Sequence, residues 1–197
     1  MSFRNKVIWI TGASSGIGKA LAIELSNQNA LLIISARNKN SLEIVKESCK
    51  NPKNVWIIPL DLEKDSTFNE ITQRAVNVFG RIDILVNNGG ISQRSLASET
   101  HISVDKKIMN VNYTGTIALT KAVLPHFIEN KKGHFAITTS MVGLIGTPLR
   151  SSYAASKHAL HGFFDSLRAE VYDDNIAVTL ICPGFVSTNI SMNALTG

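Results

Sequence analysis

Tyr153 and Lys157 stand four residues apart in a segment, Ser151 to Tyr172, that is rich in helix formers, so both project from one helix face. A phenol beside an ammonium is a proton-exchange pair. A free tyrosine titrates near pH 10, and a nearby cation favours its charged form. Lowering that titration by about three pH units takes roughly 4 kcal/mol, and a close, partly desolvated ammonium can supply much of it. The pair alone is weak evidence. With 3 tyrosines and 13 lysines in 197 residues, chance yields about 0.2 such spacings. Its company gives it weight. Ser140 lies thirteen residues before Tyr153, at the C-terminal end of a strand-like run, and open α/β sheets bind ligands beyond the carboxyl ends of their strands. A serine hydroxyl there can hold a substrate oxygen within proton-transfer reach.

A second constellation sits near the start of the chain. The run Val7–Ile10 leads directly into Thr11-Gly12-Ala13-Ser14-Ser15-Gly16-Ile17-Gly18 and then a helical pattern. Such a strand-to-helix turn aims backbone N–H groups and the positive helix end at a pyrophosphate. Glycines serve where a Cβ would block the phosphate or the packing of helix on strand. The spacing is G-x-x-x-G-x-G, and its place at the first strand–helix junction makes Gly12, Ser14, Ser15, Gly16, Ile17 and Gly18 candidate contacts of a dinucleotide. The second strand-like run ends Ser35-Ala36-Arg37. An acid at that point would bond a ribose 2′-hydroxyl, whereas an arginine accommodates a 2′-phosphate through charge-assisted bidentate bonds. The acid is absent and Arg37 is present, which favours NADP(H) over NAD(H); a surface arginine without a ligand is the plainer alternative.

The elements that must position these residues are legible in the hydrophobic pattern. Val7–Ile10, Leu31–Ser35, Val55–Leu60, Ile82–Val86, Phe135–Thr139 and Val178–Cys182 are short, nearly continuous apolar runs, as strands covered on both faces require. Ile17, Ala20, Leu21 and Leu25 form a helical stripe between the first two, and Phe68, Ile71, Ala75 and Phe79 form another between the third and fourth. Strand–helix alternation implies parallel pairing with right-handed crossovers. The expected fold is α/β, a doubly wound parallel sheet in three layers (a Rossmann fold), as a single domain over 1–197 with no repeat or linker.

Composition excludes several other classes. The 44% hydrophobic and 18% charged fractions are those of an ordinary globular chain. The formal charge of +5 is scattered, with the pairs Lys106–Lys107 and Lys131–Lys132 near acids or in turns. A nucleic-acid surface would be a clustered basic face with stacking aromatics, so no nucleic-acid partner is expected. No apolar run reaches the roughly 18–20 residues of a membrane span, and no membrane anchor or signal-peptide pattern is visible near Met1. Cys49 and Cys182 both sit in apolar segments and read as buried thiols in a reducing, cytoplasmic compartment. No metal set is expected.

Taken together, Thr11 to Gly18, Asp61-Leu62, Asn87-Asn88-Gly89-Gly90, Asn112 to Gly115, Ser140, Tyr153 to Lys157, and Pro183-Gly184 with Thr188 resemble the short-chain dehydrogenase/reductase family over essentially the whole chain. The segments 87–96 and 156–164 are similar to the branch of that family near dehydrogenase/reductase members 7 and 7B. The resemblance implies hydride transfer between NADP(H) and a small-molecule carbonyl or alcohol, with Asn112, Ser140, Tyr153 and Lys157 as the catalytic set. It further implies that Asp61, with Leu62 beside it, meets adenine and that Asn88 lines the cofactor cleft. Asn112 would hold a water linking Lys157 to solvent. Lys157 would also bond the nicotinamide ribose, and Thr188, following Pro183 and Gly184, the carboxamide. Family members assemble as homodimers or homotetramers through helices that begin here near Val104 and Ser151.

Two departures stand out. Asn-Asn-Gly-Gly replaces the family's Asn-Asn-Ala-Gly, and the lost methyl at Gly89 is expected to loosen the turn slightly. Members usually continue about fifty residues further, so the final strand and substrate-covering segment are expected to be missing after Gly197. The apolar residues Ile91, Met141, Val142, Leu144 and Ile145 suggest a lipophilic substrate, or else simply pack their loops. An alternative to catalysis is an NADP(H)-binding sensor with little turnover, although a sensor has no need of a proton-transfer set.

Overall fold

The alternation of side chains along the central strands decides the architecture. In β1 (Val7–Thr11), Val7 and Trp9 point into one apolar cluster while Ile8 and Ile10 point into another, as a period of two demands of a strand buried on both faces. A computed structural model describes residues 2–190 and 192–196. Within it, β2 (Leu31–Ser35), β3 (Val55–Ile57), β4 (Ile84–Asn87), β5 (Gly133–Thr138) and β6 (Ile176–Ile181) join β1 in a six-stranded sheet of order β3-β2-β1-β4-β5-β6. Every pairing is parallel. The order reverses at β1 and β4, which opens a crevice above their C-terminal ends. The doubly wound expectation holds.

Helices cover the two faces. α1 (Gly16–Asn27) and α2 (Lys39–Glu47) bury Ala22, Leu25, Leu42 and Val45 against Ile8, Ile10, Leu32 and Ile34. α3 (Phe68–Phe79), α5 (Gly115–Glu129) and α6 (Ser151–Glu170) bury Phe68, Leu119, Phe127, Leu160 and Phe164 on the other face. Full burial of each such side chain contributes roughly 1.5–3 kcal/mol. α4 (Ile102–Met109) precedes α5, and a single π-helical turn, Asn110–Thr114, joins them.

Several boundaries and contacts differ from the sequence reading. The buried stripe of α1 is Gly18, Ala22, Leu25 and Ser26; Ala20 is exposed. Small residues bring this helix close to the sheet, so the stripe follows packing distance and not hydrophobicity alone. β3 ends at Ile57, although Ile58 and Leu60 still donate to the Ile34 and Ala36 carbonyls. β4 starts at Ile84, although Asp83 before it still donates to the Val7 carbonyl and its carboxylate accepts from the Val7 N–H at 2.8 Å. Cys49 is buried, but Cys182 is only half-buried beyond the end of β6. Among the described residues, no helix is long and apolar enough to cross a membrane.

Candidate active site

The glycine loop is held from behind. Gly12 (φ +64°) and Gly16 (φ +53°) adopt the left-handed backbone that glycine enters without a Cβ penalty. A Cβ at Gly18 would lie 2.4 Å from the Gly12 carbonyl oxygen. Ser15 occupies the N-cap position of α1 in extended backbone with no side-chain cap bond, so its hydroxyl does not cover the helix end. Thr11 and Asn88 lock the turn. The Thr11 hydroxyl accepts from the Asn88 and Gly89 N–H groups, both at 3.0 Å. The Asn88 amide donates in turn to the Thr11 and Gly12 carbonyls at 3.1 and 3.3 Å.

Gly89, where the sequence expectation was a slightly loosened turn, is closely surrounded. A methyl there would sit 2.9 Å from Leu62 Cδ1, so Leu62 already fills the space and the two N–H bonds to Thr11 fix the backbone. Leu62 is itself set by Gly115, where a Cβ would come within 2.1 Å of the Leu62 carbonyl oxygen. That close approach accounts for glycine at the start of α5.

The second half of the site is carried by β5 and α6. Ser140 follows β5, accepts from the Val142 N–H at 3.2 Å and hydrogen-bonds the Tyr153 phenol. Tyr153 is 7% exposed and Lys157 4%, and the Lys157 ammonium lies 5.8 Å from the Tyr153 ring centre while donating to the Thr138 carbonyl at 2.9 Å. Burial pulls the ammonium down to about 8. Burial also pushes the phenol above the ordinary tyrosine range, outweighing the opposing pull of the Ser140 hydrogen bond and the Arg150 guanidinium. The expectation of a phenol made acidic by its lysine is therefore corrected for the protein alone. Burial weakens the charged form of each group, keeping the phenol protonated and loosening the ammonium's hold on its proton.

Asn112 lies beneath this pair in the π-helical turn and is almost fully buried. Its side chain accepts from the Ile91 N–H at 2.8 Å and donates to the Ile91 carbonyl and the Ser156 hydroxyl at 2.9 and 3.0 Å. It thus fastens the loop after β4 to α6. The turn's departure from α-helical register was not visible in the sequence.

One cleft of about 1140 Å³ runs over the C-terminal edge of the sheet. Gly12, Ser14, Ser15, Gly16, Ile17, Arg37, Asp61, Leu62 and Asn88 line one part, and Ser140, Tyr153, Lys157, Pro183, Gly184 and Thr188 also reach it. Gly18 and Asn112 do not; they support its wall. Asp61 turns its carboxylate onto the Glu63 N–H at 3.2 Å, and Thr188 packs where a Gly16 Cβ would meet its methyl at 3.1 Å. The Pro183 carbonyl accepts from the Met141 N–H at 3.1 Å, tying the exit of β6 to the serine loop. Ile91, Met141, Val142 and Ile145 line the cleft, whereas Leu144 does not and stays half exposed on the surface. The glycine cradle, the cleft beyond it and the convergent proton-transfer groups together fit a dinucleotide whose reactive end reaches Tyr153. Among the described residues no three His, Cys, Asp or Glu side chains stand together to hold a metal.

Thr11 and Asn87 stood in the sequence only as members of their motifs, which did not reveal Thr11 as the hydroxyl hub or Asn87 as the tie from β4 to Thr120 on α5 at 2.9 Å. Arg150 was missed; its signal was its spacing of three before Tyr153.

Comparison with known proteins agrees with this geometry. The family model described as short chain dehydrogenase matches residues 6–196. The chain is 48% identical over 197 residues to Dehydrogenase/reductase SDR family member 7 of Homo sapiens, covering 97% of this chain and 58% of that protein. It is 41% identical to member 7B of Mus musculus over 98% of this chain and 61% of that protein. The chain thus spans about three fifths of the length of these relatives. Among solved structures it is similar to ElxO with NADP bound (TM-score 0.89, 31% identity, 93% of this chain and 75% of that one). It is also similar to the 3-ketoacyl-(acyl-carrier-protein) reductase of Brucella melitensis complexed with NADH (TM-score 0.90, 27% identity, 98% and 80%).

Removing the Thr11 hydroxyl tests the lock on the loop. Thr11→Val leaves the half-buried Asn88 and Gly89 N–H groups without their acceptor; a fully buried unsatisfied group costs about 1–3 kcal/mol, and two half-buried ones together fall in that range. Urea unfolding should show a loss in that range, and fluorescence titration with NADPH should show weaker binding.

Proposed function

The chain belongs to the short-chain dehydrogenase family, on the branch near dehydrogenase/reductase members 7 and 7B, and from that premise we propose that it is an NADP(H)-dependent reductase of carbonyl compounds. One observation carries the reading: Ser140, Tyr153 and Lys157 converge at the end of β5 in the same cleft as the glycine loop. A sensor that only binds its cofactor has no use for that convergence.

The nicotinamide cofactor, when bound, supplies or receives the hydride. Gly12, Ser14, Ser15, Gly16 and Ile17 would cradle its phosphates, with Gly18 admitting the close approach. Asp61 and Leu62 would flank the adenine, Asn88 would brace the cleft floor, and Pro183, Gly184 and Thr188 would close over the nicotinamide end. Arg37, exposed on the cleft rim just after β2, supports the choice of NADP(H), because its guanidinium suits a 2′-phosphate.

Ser140 would hold the substrate oxygen. Tyr153 would give it a proton as the alkoxide forms, the role of a positioned general acid. The burial that keeps the Tyr153 phenol protonated suits that direction, since a reductase needs the proton present at neutral pH. Lys157 would bond the ribose and refill the phenol's proton. A relay through Asn112 would run past its backbone, because both ends of its side chain are engaged. The apolar wall of Ile91, Met141, Val142 and Ile145 favours a lipophilic substrate. Assembly as a homodimer or homotetramer through α4–α5 and α6 belongs to the same reading.

A panel of ketones, quinones and aldehydes assayed by NADPH oxidation tests the proposal. Tyr153→Phe should lower kcat by about 10²–10⁴-fold while NADPH still binds; unchanged turnover would refute the assignment, and binding without turnover in the unsubstituted chain would favour the sensor. Arg37→Asp should shift the NADPH:NADH preference toward NADH by at least about tenfold, read from kcat/KM with each cofactor.

A further inference from the structure

Tyr153 is flanked by two cations. Lys157 lies one helical turn after it with its ammonium 5.8 Å from the ring centre, and Arg150 lies three residues before it with its guanidinium carbon at the same 5.8 Å. Tyr153 and Lys157 share one face of α6 at i and i+4, and Arg150 precedes them at i−3 as the residue that caps the helix. Arg150 is not loosely placed. Its Nη1 donates to the Ser92 hydroxyl at 2.7 Å, and Ser92 is fully buried. Leu149 before it takes a left-handed backbone (φ +67°), a conformation costly for a residue with a Cβ, and its carbonyl accepts from the Ser95 N–H at 3.2 Å. Arg150 also stands at the N-cap position of α6, the positive end of the helix, where a cation is electrostatically disfavoured. Strain at Leu149 and an unfavourably placed charge at Arg150 are thus tolerated at adjacent residues of the cleft wall.

We infer that Arg150 is a second and permanent cation of the tyrosine centre, a positioning residue that acts through Tyr153 and is fixed in place by Ser92. The inference rests on the proposed role of Tyr153. The division of labour follows from the chemistry of the two cations. Lys157, buried and pulled down to about 8, loses its charge in mildly alkaline solution, whereas an arginine keeps its proton throughout. The phenol's dry surroundings are opposed first by the Ser140 hydrogen bond and then by the charge of Arg150. The other charged or titratable groups on the elements packed here are engaged elsewhere or lie further along the cleft. Asp105 of α4 accepts from the Ser152 hydroxyl, Lys107 pairs with Glu63 at 3.9 Å, His161 faces Cys182 at 3.9 Å, and Arg94 lies exposed on the rim.

The test is a tyrosinate absorbance titration of the cofactor-free chain, with the Tyr153→Phe difference isolating Tyr153 from Tyr113 and Tyr172. Arg150→Gln, which can still bond Ser92 but carries no charge, should move the Tyr153 midpoint upward by about one pH unit. Arg150→Met should do the same, and Arg150→Lys should restore most of the original value. If the glutamine variant titrates like the unsubstituted chain, the residue is structural and the inference is overturned. Equal upward shifts in the lysine and glutamine variants would also overturn it, since charge would then not be the cause. The readout needs neither substrate nor cofactor. A failure of the reductase assignment, seen as undiminished turnover in Tyr153→Phe, is therefore distinguishable from a failure here.

Discussion

A lysine ammonium held out of water is the constraint on which the rest of the site depends. Lys157 is almost wholly buried at the junction of β5, α6 and the loop after β4, and its ammonium donates to the Thr138 carbonyl. Burying a charge without partners is costly, and a protein answers by pairing it or by weakening its hold on the proton. Here the second answer dominates, since the ammonium titrates near 8. A lysine so poised can exchange protons near physiological pH, which a solvated one cannot do.

Keeping that lysine dry sets requirements far from it. Asn112 must bind the loop after β4 to α6, and it does so from a π-helical turn that re-aims its side chain between Ile91 and Ser156. A Cβ on Gly90 would sit 3.1 Å from the Asn112 carboxamide oxygen and 3.8 Å from the Lys157 ammonium, so glycine lets the loop pass directly over both. The same loop starts from Asn88 and Gly89, which the Thr11 hydroxyl grips. The phosphate turn and the proton-transfer pair are therefore two ends of one braced segment.

Much of this was legible in the residues. Alternating apolar runs gave the parallel sheet because strands buried on both faces leave no polar period, and Tyr153, Lys157 and Ser140 were readable because their chemistry restricts their types and spacing. What escaped was of two kinds. Close approaches, such as Gly115 on the Leu62 carbonyl or Leu62 in the space beside Gly89, depend on distances between segments that no local pattern encodes. Titration behaviour depends on desolvation, which is known only once the surroundings are built. The sequence therefore suggested an acidic phenol, and the folded chain holds a protonated one. The stripe of α1 failed for a similar reason, as Gly18 and Ser26 are buried by proximity to the sheet and not by their own polarity.

The most direct test is to titrate the Lys157 side chain itself, following its ¹³Cε chemical shift in lysine-labelled protein and assigning it by its loss in Lys157→Arg. A midpoint near 8 in the cofactor-free chain is the result required by a buried, weakly protonated ammonium. A midpoint near 10.5, the ordinary lysine value, would mean that the group is solvated, and the site as described would not exist.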